Sequence, residues 1–560
     1  MQENTQKKEY LSAPQNESCY EYLIKCCEKI TADVGDYPVL QSFGCDMPMA
    51  AFRAEVERLA AKLTEMGFKK NDVLSVFLPT CSHAVVVFYT LSKLGIIADF
   101  IHPLTPPAGL QKTMQATRSK GVFLLNSAAE ACQNAVNGLP VFVCSLTDHT
   151  TGAVKTAMKA AGVNIFVPEK ENFIRYADLL RHDLPPVPDA EKDAKETAVY
   201  MHGSGTTGKS KTVQLSAFAL NSSAYSQYQI DKYHDYGHSY SLAVLPVFHA
   251  FGLAASVHYA TCNAYTPILM PKFDAVQANE IIAKNNVQYI SGAPSMFRKL
   301  YSAENFENPG LKNLTCLYSG GDLVSEAFIK QFYAVLKKNG SVAKLFRGWG
   351  LTEMSAVCST NAHDNHRATS IGKLGFGMEL KIIDEDGRAL PAGEQGEICL
   401  TGDTMMNGYL PEENVTETGL FPDENGVNWV HTGDMGFVDE DGYLYFTGRK
   451  KRIIIISGYN IYPYSIEQQI TALPFVMEAC AVQGYLGEKP IVKLCVSLQP
   501  DVQDEEVAKQ MILAYCKENF NRFSVPRKII VMPALPRTKM DKLDFLAMTD
   551  PLPAGLAAQR

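Results

Sequence analysis

The 560-residue chain has no basic excess: 52 lysines and arginines stand against 60 aspartates and glutamates, a net charge of −8. That excludes a general nucleic-acid binder, which needs surplus Lys and Arg to neutralise phosphates. There is no C-x-x-C among the fourteen cysteines, and Cys26 and Cys27 are the only close pair. The ligand spacing of a structural zinc site is therefore missing. Thiols scattered through so long a chain read as buried free cysteines in a reducing compartment. The N-terminal stretch MQENTQKKEYLSAPQNES lacks the apolar core of a secretory signal, so a cytoplasmic protein is expected. Internal repeats and low-complexity segments are absent too. Residues 239–271 contain no Asp, Glu, Lys or Arg, a run long enough to span a bilayer. Pro246, His249, Gly252, His258, Asn263 and Pro267 interrupt it, so a buried strand, turn and helix inside a large domain is expected instead of a membrane span.

What is present is ordinary for a globular protein: 46% hydrophobic and 20% charged residues. The length calls for two or more domains. Residues 1–35 read as a polar arm followed by an amphipathic helix. Residues 49–66 (MAAFRAEVERLAAKLTEM) space apolar side chains as a helix, with Gly67 as its C-terminal cap. Strands are expected over 72–78 and 95–101, and around Phe123, Val141 and Ile165, with a helix over 83–94. This alternation predicts a mostly parallel sheet. A proline-rich connector (183–192) leads to a short strand over 198–201. Further on come a strand at Tyr289, a helix from Pro294 and a strand over 314–319. After Ile371 the texture turns to β-hairpins, with turn signals at Asp386-Gly387 and Ala392-Gly393. From residue 449 strands and helices mix again over a length that suits a small separate domain. The expected class is α/β: a large N-terminal domain, 1–448, of mixed and parallel sheets with helices and a β-rich subdomain, then a small α+β domain, 449–560.

The strongest chemical statement is residues 203–211, GSGTTGKSK. Glycines allow a sharp turn and close backbone approach, successive N–H groups make an anion nest, and lysine adds a point charge. This reads as a phosphate-binding loop. Residues 203–210 also match the NTPase phosphate loop G-x-x-x-x-G-K-[ST] letter for letter, with Lys209 as its lysine. An NTPase needs a partner strand ending in Asp to hold Mg²⁺. Asp384 imitates one, but the following Asp386-Gly387 makes that segment a hairpin.

Six other motifs bear on the choice: PVFHAFG (246–252), SGGD (319–322), GWGLTE (348–353), TGD (432–434), GRKKRIIIISGYNI (448–461) and LPRTKMDK (535–542). In this order, over about residues 20–546, they resemble the adenylate-forming superfamily of acyl-CoA synthetases, adenylation domains and luciferases. The glycine loop is similar to that family's T-S-G-T-T-G-x-P-K-G, with Gly203, Ser210 and Thr212 replacing Thr, Pro and Gly.

The resemblance implies roles residue by residue. Ser204, Gly205, Thr206, Thr207, Gly208 and Lys211 hold the β- and γ-phosphates of ATP, with Thr206 and Glu353 at Mg²⁺. His249 gates or lines the carboxylate pocket. Gly320, Gly321 and Asp322 line the adenine and acyl pockets. Trp349, where Tyr is usual, offers an aromatic face to adenine beside Gly350, and Thr352 a hydroxyl to the α-phosphate. Asp434 takes the ribose diol, since both carboxylate oxygens accept. Arg449 contacts the nucleotide. Lys451 is the hinge of a mobile C-terminal domain, next to Arg452, which stands where Asp is usual. Ser457, Gly458 and Tyr459 face coenzyme A. Lys542 is the catalytic lysine, with Asp541 in place of Gly and Lys539 as the fallback candidate.

The chemistry so implied is ATP-dependent activation of a carboxylic acid, aliphatic or aromatic, to an acyl-adenylate with release of pyrophosphate, then transfer to a thiol. No aspartate lies between Asp235 and Asp274, where an amino-acid-activating domain would place one, so the acid lacks an α-amine. Coenzyme A is the expected acceptor. The alternatives are a stand-alone ligase loading a carrier protein, a P-loop NTPase, and a non-catalytic relative. The chain ends soon after Lys542, so no fused carrier is expected, nor any nucleic-acid partner or membrane span.

Overall fold

The computed structural model describes residues 10–553 except 137, 164–165, 192, 204–210, 232–235, 323, 368, 411–418, 457–458 and 539–542. The strand expected at Ile165 falls outside them.

Two large sheets carry the N-terminal part. The first runs, in spatial order, Gly408–Leu410, Lys211–Ser216, Thr197–Gly203, Ile97–Phe100, Val73–Phe77, Val122–Leu125, Val141–Cys144 and Phe173–Arg175. From Thr197–Gly203 onward its strands are parallel; the first three are antiparallel to one another. The second runs Lys373–Leu374, Ser359–Thr360, Lys344–Trp349, Cys316–Ser319, Val287–Gly292, Ser239–Ala243, Tyr265–Leu269, Pro38–Ser42 and Cys45–Pro48. Its interior pairs are parallel and its end pairs antiparallel.

The helix Met49–Glu65 ends at Gly67, whose φ of +89° is the left-handed turn glycine permits. The helix Ser82–Lys93 is buried along its whole length, and the main core combines its residues with apolar side chains from both sheets. The uncharged run 239–271 is a buried strand, turn and helix, as its composition requires, and adds a second strand, Tyr265–Leu269. Among the described residues no helix is long and apolar enough to cross a membrane. All fourteen cysteines are free, and all but Cys45 are buried.

Beyond Ile371 the antiparallel strands Met378–Ile383, Gly396–Gly402, Asn428–Val438, Gly419–Pro422 and Leu444–Arg449 form a third sheet. The last part holds the ribbon Ile454–Ile456/Tyr459–Ile461 and the sheet Val476–Leu486, Lys489–Leu498, Lys528–Val531, covered by helices Pro463–Ile470 and Glu505–Asn519 around their own core.

One polar cluster inside the large part sets a pH response. His83 Nε2 lies 3.0 Å from Asp148 Oδ2, and His149 bridges Ser82 Oγ (2.6 Å) and Glu55 Oε1 (2.7 Å). The two imidazoles are 4.4 Å apart between centroids. Burial, then the neighbouring His149, pushes His83 below its ordinary value of 6.5. Burial opposes ionisation of Glu55 and Asp148, but bonds from His149 and His83 hold both carboxyls below their usual values. Each group therefore binds a proton more readily in the unfolded chain. The stability they confer is complete above about pH 6.5 and is lost as pH falls, with a slope of at most about 1.4 kcal/mol per pH unit for each proton. Thermal melts between pH 7.5 and 5 should show a falling melting temperature, and His83→Gln should flatten the upper part of that curve.

Candidate active site

The glycine loop leaves the end of strand Thr197–Gly203 and returns as strand Lys211–Ser216. The two are antiparallel, with Gly203 opposite Lys211 and His202 opposite Thr212. A P-loop instead joins a strand to a helix. The hairpin therefore overrules the NTPase match, and strand Met378–Ile383 before Asp384 belongs to a different sheet, in an antiparallel hairpin with Gly396–Gly402. Ser204, Gly205, Thr206, Thr207, Gly208, Lys209 and Ser210 lie outside the described residues.

Lys211 is half-buried, with Nζ 4.5 Å from the centroid of the Tyr409 ring. Burial lowers its pKa; the charge of Glu353 opposes this and that of Lys451 adds to it. Tyr409 sits on the neighbouring strand, opposite Val213, and its hydroxyl donates to Glu353 Oε1 at 2.8 Å. Burial and then the Glu353 carboxylate push this phenol far above its ordinary range, so it stays a donor. One tyrosine thus holds the Lys211 ammonium and the Glu353 carboxylate side by side. Tyr409→Phe keeps the ring under Lys211 and removes the bond to Glu353. It should lower kcat/KM for ATP about tenfold in ATP–pyrophosphate exchange, the worth of a hydrogen bond to a charged group.

Thr352 and Glu353 occupy a single 3₁₀ turn, Thr352–Met354. The backbone folds back at once through Ser355 (φ +52°) and Ala356 (φ +89°), two non-glycine residues in the left-handed region, where strain of this kind marks functional turns. A Cβ on Gly350 would lie 1.5 Å from the Ala356 carbonyl oxygen, so only glycine closes this loop.

Trp349 Nε1 donates to Asp434 Oδ2 at 2.8 Å, and Arg449 Nε is 3.1 Å from Asp434 Oδ1. Asp434 is buried and is the cross-strand partner of Arg449. Its backbone N–H donates to Thr432 Oγ1 at 3.0 Å. Trp349, Asp434 and Arg449 are therefore brought together from three motifs, the first two residues 85 apart.

Gly320 follows strand Cys316–Ser319, and its N–H donates to the Gly292 carbonyl at 3.2 Å. A Cβ there would sit 3.4 Å from both the Gly348 oxygen and the Phe251 ring. Phe251 thus links this turn to the His249 segment. His249 is half-buried, and its Nδ1 accepts from the Phe251 N–H at 3.2 Å. Gly321 has φ +87° and Asp322 is exposed.

In the C-terminal part, Lys451 is exposed on the turn Lys450–Arg452. Arg452 turns inward, pairing with Glu467 and donating to the Ala481 carbonyl at 3.2 Å. Tyr459 is exposed and stacks on Phe523, with centroids 4.3 Å apart. Ser457, Gly458, Lys539, Asp541 and Lys542 lie outside the described residues. Flanking the last three, Arg537 and Leu543 form a β-bridge, and Arg537 pairs with Glu478, whose Oε1 also accepts from Arg298 of the large domain at 3.0 Å. Sequence reasoning missed Tyr409, Glu467 and Glu478, none of which stands in a motif.

Known proteins with the same build give this geometry a context. The chain is 28% identical over 478 residues to 4-coumarate–CoA ligase 1 of Solanum tuberosum, covering 82% of this chain and 83% of that one. It is 24% identical over 544 residues to the long-chain-fatty-acid–CoA ligase of Salmonella typhimurium, with 94% of each covered. Among solved structures, an anthranilate CoA ligase in complex with anthranoyl-AMP superposes with a TM-score of 0.78 at 19% identity, covering 96% of this chain and 97% of that one. A benzoate CoA ligase from Burkholderia xenovorans gives 0.79 at 17% identity, covering 95% and 100%; these two show a shared fold. The model of the AMP-binding enzyme C-terminal domain matches residues 465–542. The AMP-binding enzyme model itself matches residues 28–410, most of the chain, with Lys211, Glu353 and Tyr409 inside the match, and the chain belongs to that family.

Proposed function

We propose that the protein is an AMP-forming acid–thiol ligase. The observation that carries this reading is the Lys211–Tyr409–Glu353 arrangement beside the glycine hairpin. A carboxylate is a poor acylating agent. Its oxygen attacks the α-phosphorus of ATP, the α–β bridging P–O bond breaks, and pyrophosphate leaves. A thiol sulfur then attacks the acyl carbon, the C–O bond to phosphate breaks, and AMP leaves.

Two anions must meet in the first step, so the site has to position them and neutralise charge. Residues 204–208 and Lys211 hold the β- and γ-phosphates, and Thr352 the α-phosphate. Trp349 and Gly350 face adenine with Gly320, Gly321 and Asp322, Asp434 takes the ribose, and Arg449 the nucleotide. Mg²⁺ suits this donor set: it commonly takes one or two carboxylates plus substrate phosphates, and Glu353 offers one carboxylate already held by a neutral donor, with Thr206 as its companion. When bound, the ion supplies positive charge to the phosphate oxygens.

His249 lines the acid pocket. The acid is aliphatic or aromatic without an α-amine: the nearest upstream described aspartate, Asp231, is occupied by the hydroxyls of Tyr259 and Tyr265 at 2.6 Å each. Residues 1–448 and 449–560 form two domains hinged at Lys451, with Lys542 serving the first step and Ser457, Gly458 and Tyr459 the second. Coenzyme A is the acceptor, in preference to a carrier protein. Thirteen buried free thiols out of fourteen support a reducing, cytoplasmic setting.

Pyrophosphate release over a panel of aliphatic and aromatic acids, with and without coenzyme A, tests the reading. Release with some acid, and AMP formed with consumption of free coenzyme A, supports it. Acyl-adenylate without coenzyme A consumption points to a carrier protein. No release with any acid identifies a non-catalytic relative.

A further inference from the structure

We propose that Asp99, His202 and Thr212 form a positioning device that sets Lys211 for phosphate binding, an inference that rests on the adenylation reading. His202 and Thr212 face each other across the hairpin, one step below the pair Gly203 and Lys211. His202 Nδ1 lies 3.0 Å from Thr212 Oγ1, and His202 Nε2 lies 2.6 Å from Asp99 Oδ1. Asp99 is fully buried on the adjacent parallel strand Ile97–Phe100. Its second oxygen accepts from Ser75 Oγ and Thr117 Oγ1, each at 2.9 Å.

This is a costly way to fill the middle of a sheet. A carboxylate taken out of water loses several kcal/mol unless its lone pairs are met. Here three donors meet them, drawn from strand Val73–Phe77, helix Pro107–Thr117 and the imidazole. With the Nε2 proton directed to Asp99, Nδ1 is left to accept the Thr212 hydroxyl, so the carboxylate fixes the tautomer and the ring plane together. The chain runs from a rigid buried anion through one imidazole to the residue that follows Lys211.

Thr212 is held from the other side as well, opposite Leu410 on the strand that carries Tyr409. Lys211 is thereby fixed through its neighbour's side chain and through its own contact with the Tyr409 ring. Thr212 stands where the family motif has glycine, which offers no hydroxyl, and His202 and Asp99 account for that replacement. These three are positioning residues: none need touch the nucleotide.

The test is Thr212→Val, which keeps the shape and deletes the hydroxyl, with Thr212→Ser as the conservative rescue. Binding of ATP with Mg²⁺ is measured by calorimetry, and steady-state constants are measured for ATP, acid and coenzyme A. Thr212→Val should raise Kd and KM for ATP about tenfold, the effect of losing one hydrogen bond in a buried network. KM for coenzyme A should stay within about twofold and kcat at saturating ATP within about threefold, and Thr212→Ser should recover ATP affinity to within about threefold. Asp99→Asn should shift ATP affinity in the same direction. A lower melting temperature with unchanged ATP affinity would mean a purely structural network and overturn the proposal. Equal losses for ATP and coenzyme A overturn it too. A wild-type protein that binds no ATP overturns the ligase reading and this inference together, whereas wild-type binding with an unaffected Thr212→Val overturns this inference alone.

Discussion

Lys542→Ala should abolish adenylation and largely spare thioester formation from supplied acyl-adenylate. In the proposed mechanism Lys542 brings positive charge to the α-phosphate and the incoming carboxylate, and removing one such stabilising group costs roughly 10²–10³ in rate. The second half-reaction starts from an intermediate whose acyl–phosphate bond already exists: the thiol attacks the acyl carbon, AMP leaves with the bonding pair, and no carboxylate has to approach the α-phosphate. The measurement is single-turnover kinetics of each half separately, with Lys539→Ala as the comparison. Equal loss of both halves in Lys542→Ala would remove Lys542 from this role, and a larger adenylation loss in Lys539→Ala would transfer the role to Lys539.

The largest stability effect is expected where this chain departs from its family. Restoring the family's aspartate as Arg452→Asp should not be tolerated. Arg452 pairs with Glu467, whose side chain is only 5% exposed, and Glu467 Oε1 also accepts the Ala481 N–H at 2.8 Å. Burial disfavours the arginine's charge, but Glu467 outweighs it and raises the guanidinium pKa. The guanidinium also lies over the Phe545 ring at 5.1 Å. Arg452→Asp would set two carboxylates face to face in a buried site. Breaking such a pair costs about 3–5 kcal/mol, most of the stability of a domain at the lower end of the ordinary range of about 5–15 kcal/mol. Thermal melts should show early loss of the C-terminal part, and Glu467→Arg added to Arg452→Asp should recover much of it. A melting temperature unchanged in Arg452→Asp would show that the pair contributes nothing.

The alternation of strands and helices made the fold class legible, and short motifs named the candidate site. Trp349, Glu353 and Asp434 could be named as candidates because each sits in a short motif whose chemistry suits a part of a nucleotide. The glycine loop was legible as a phosphate loop but matched two families, since the letters 203–210 do not say whether a helix or a strand follows. The strand pairing of Gly203 with Lys211 decides it. Tyr409 was illegible because it is a lone tyrosine in a three-residue strand, and only pairing with the distant strand Lys211–Ser216 brings it to Lys211. Asp99 and His202 are 103 residues apart, and no local pattern reports a bond made across a sheet. The replacement at Arg452 was visible, but its partner Glu467 was not, because helix Pro463–Ile470 sets that distance.

Glu478 bears on the domain swing proposed above. It is shared by Arg298 on helix Pro294–Ser302 and by Arg537, which belongs to the same small domain as Glu478 itself. If the small domain swings, Arg298 stays behind and Arg537 travels along. The carboxylate then keeps Arg537 as its counter-ion and loses only its contact with Arg298, so no naked charge is left in the interior. Such a latch releases cheaply and re-engages without a large barrier, and because it is ionic, its grip loosens as salt rises.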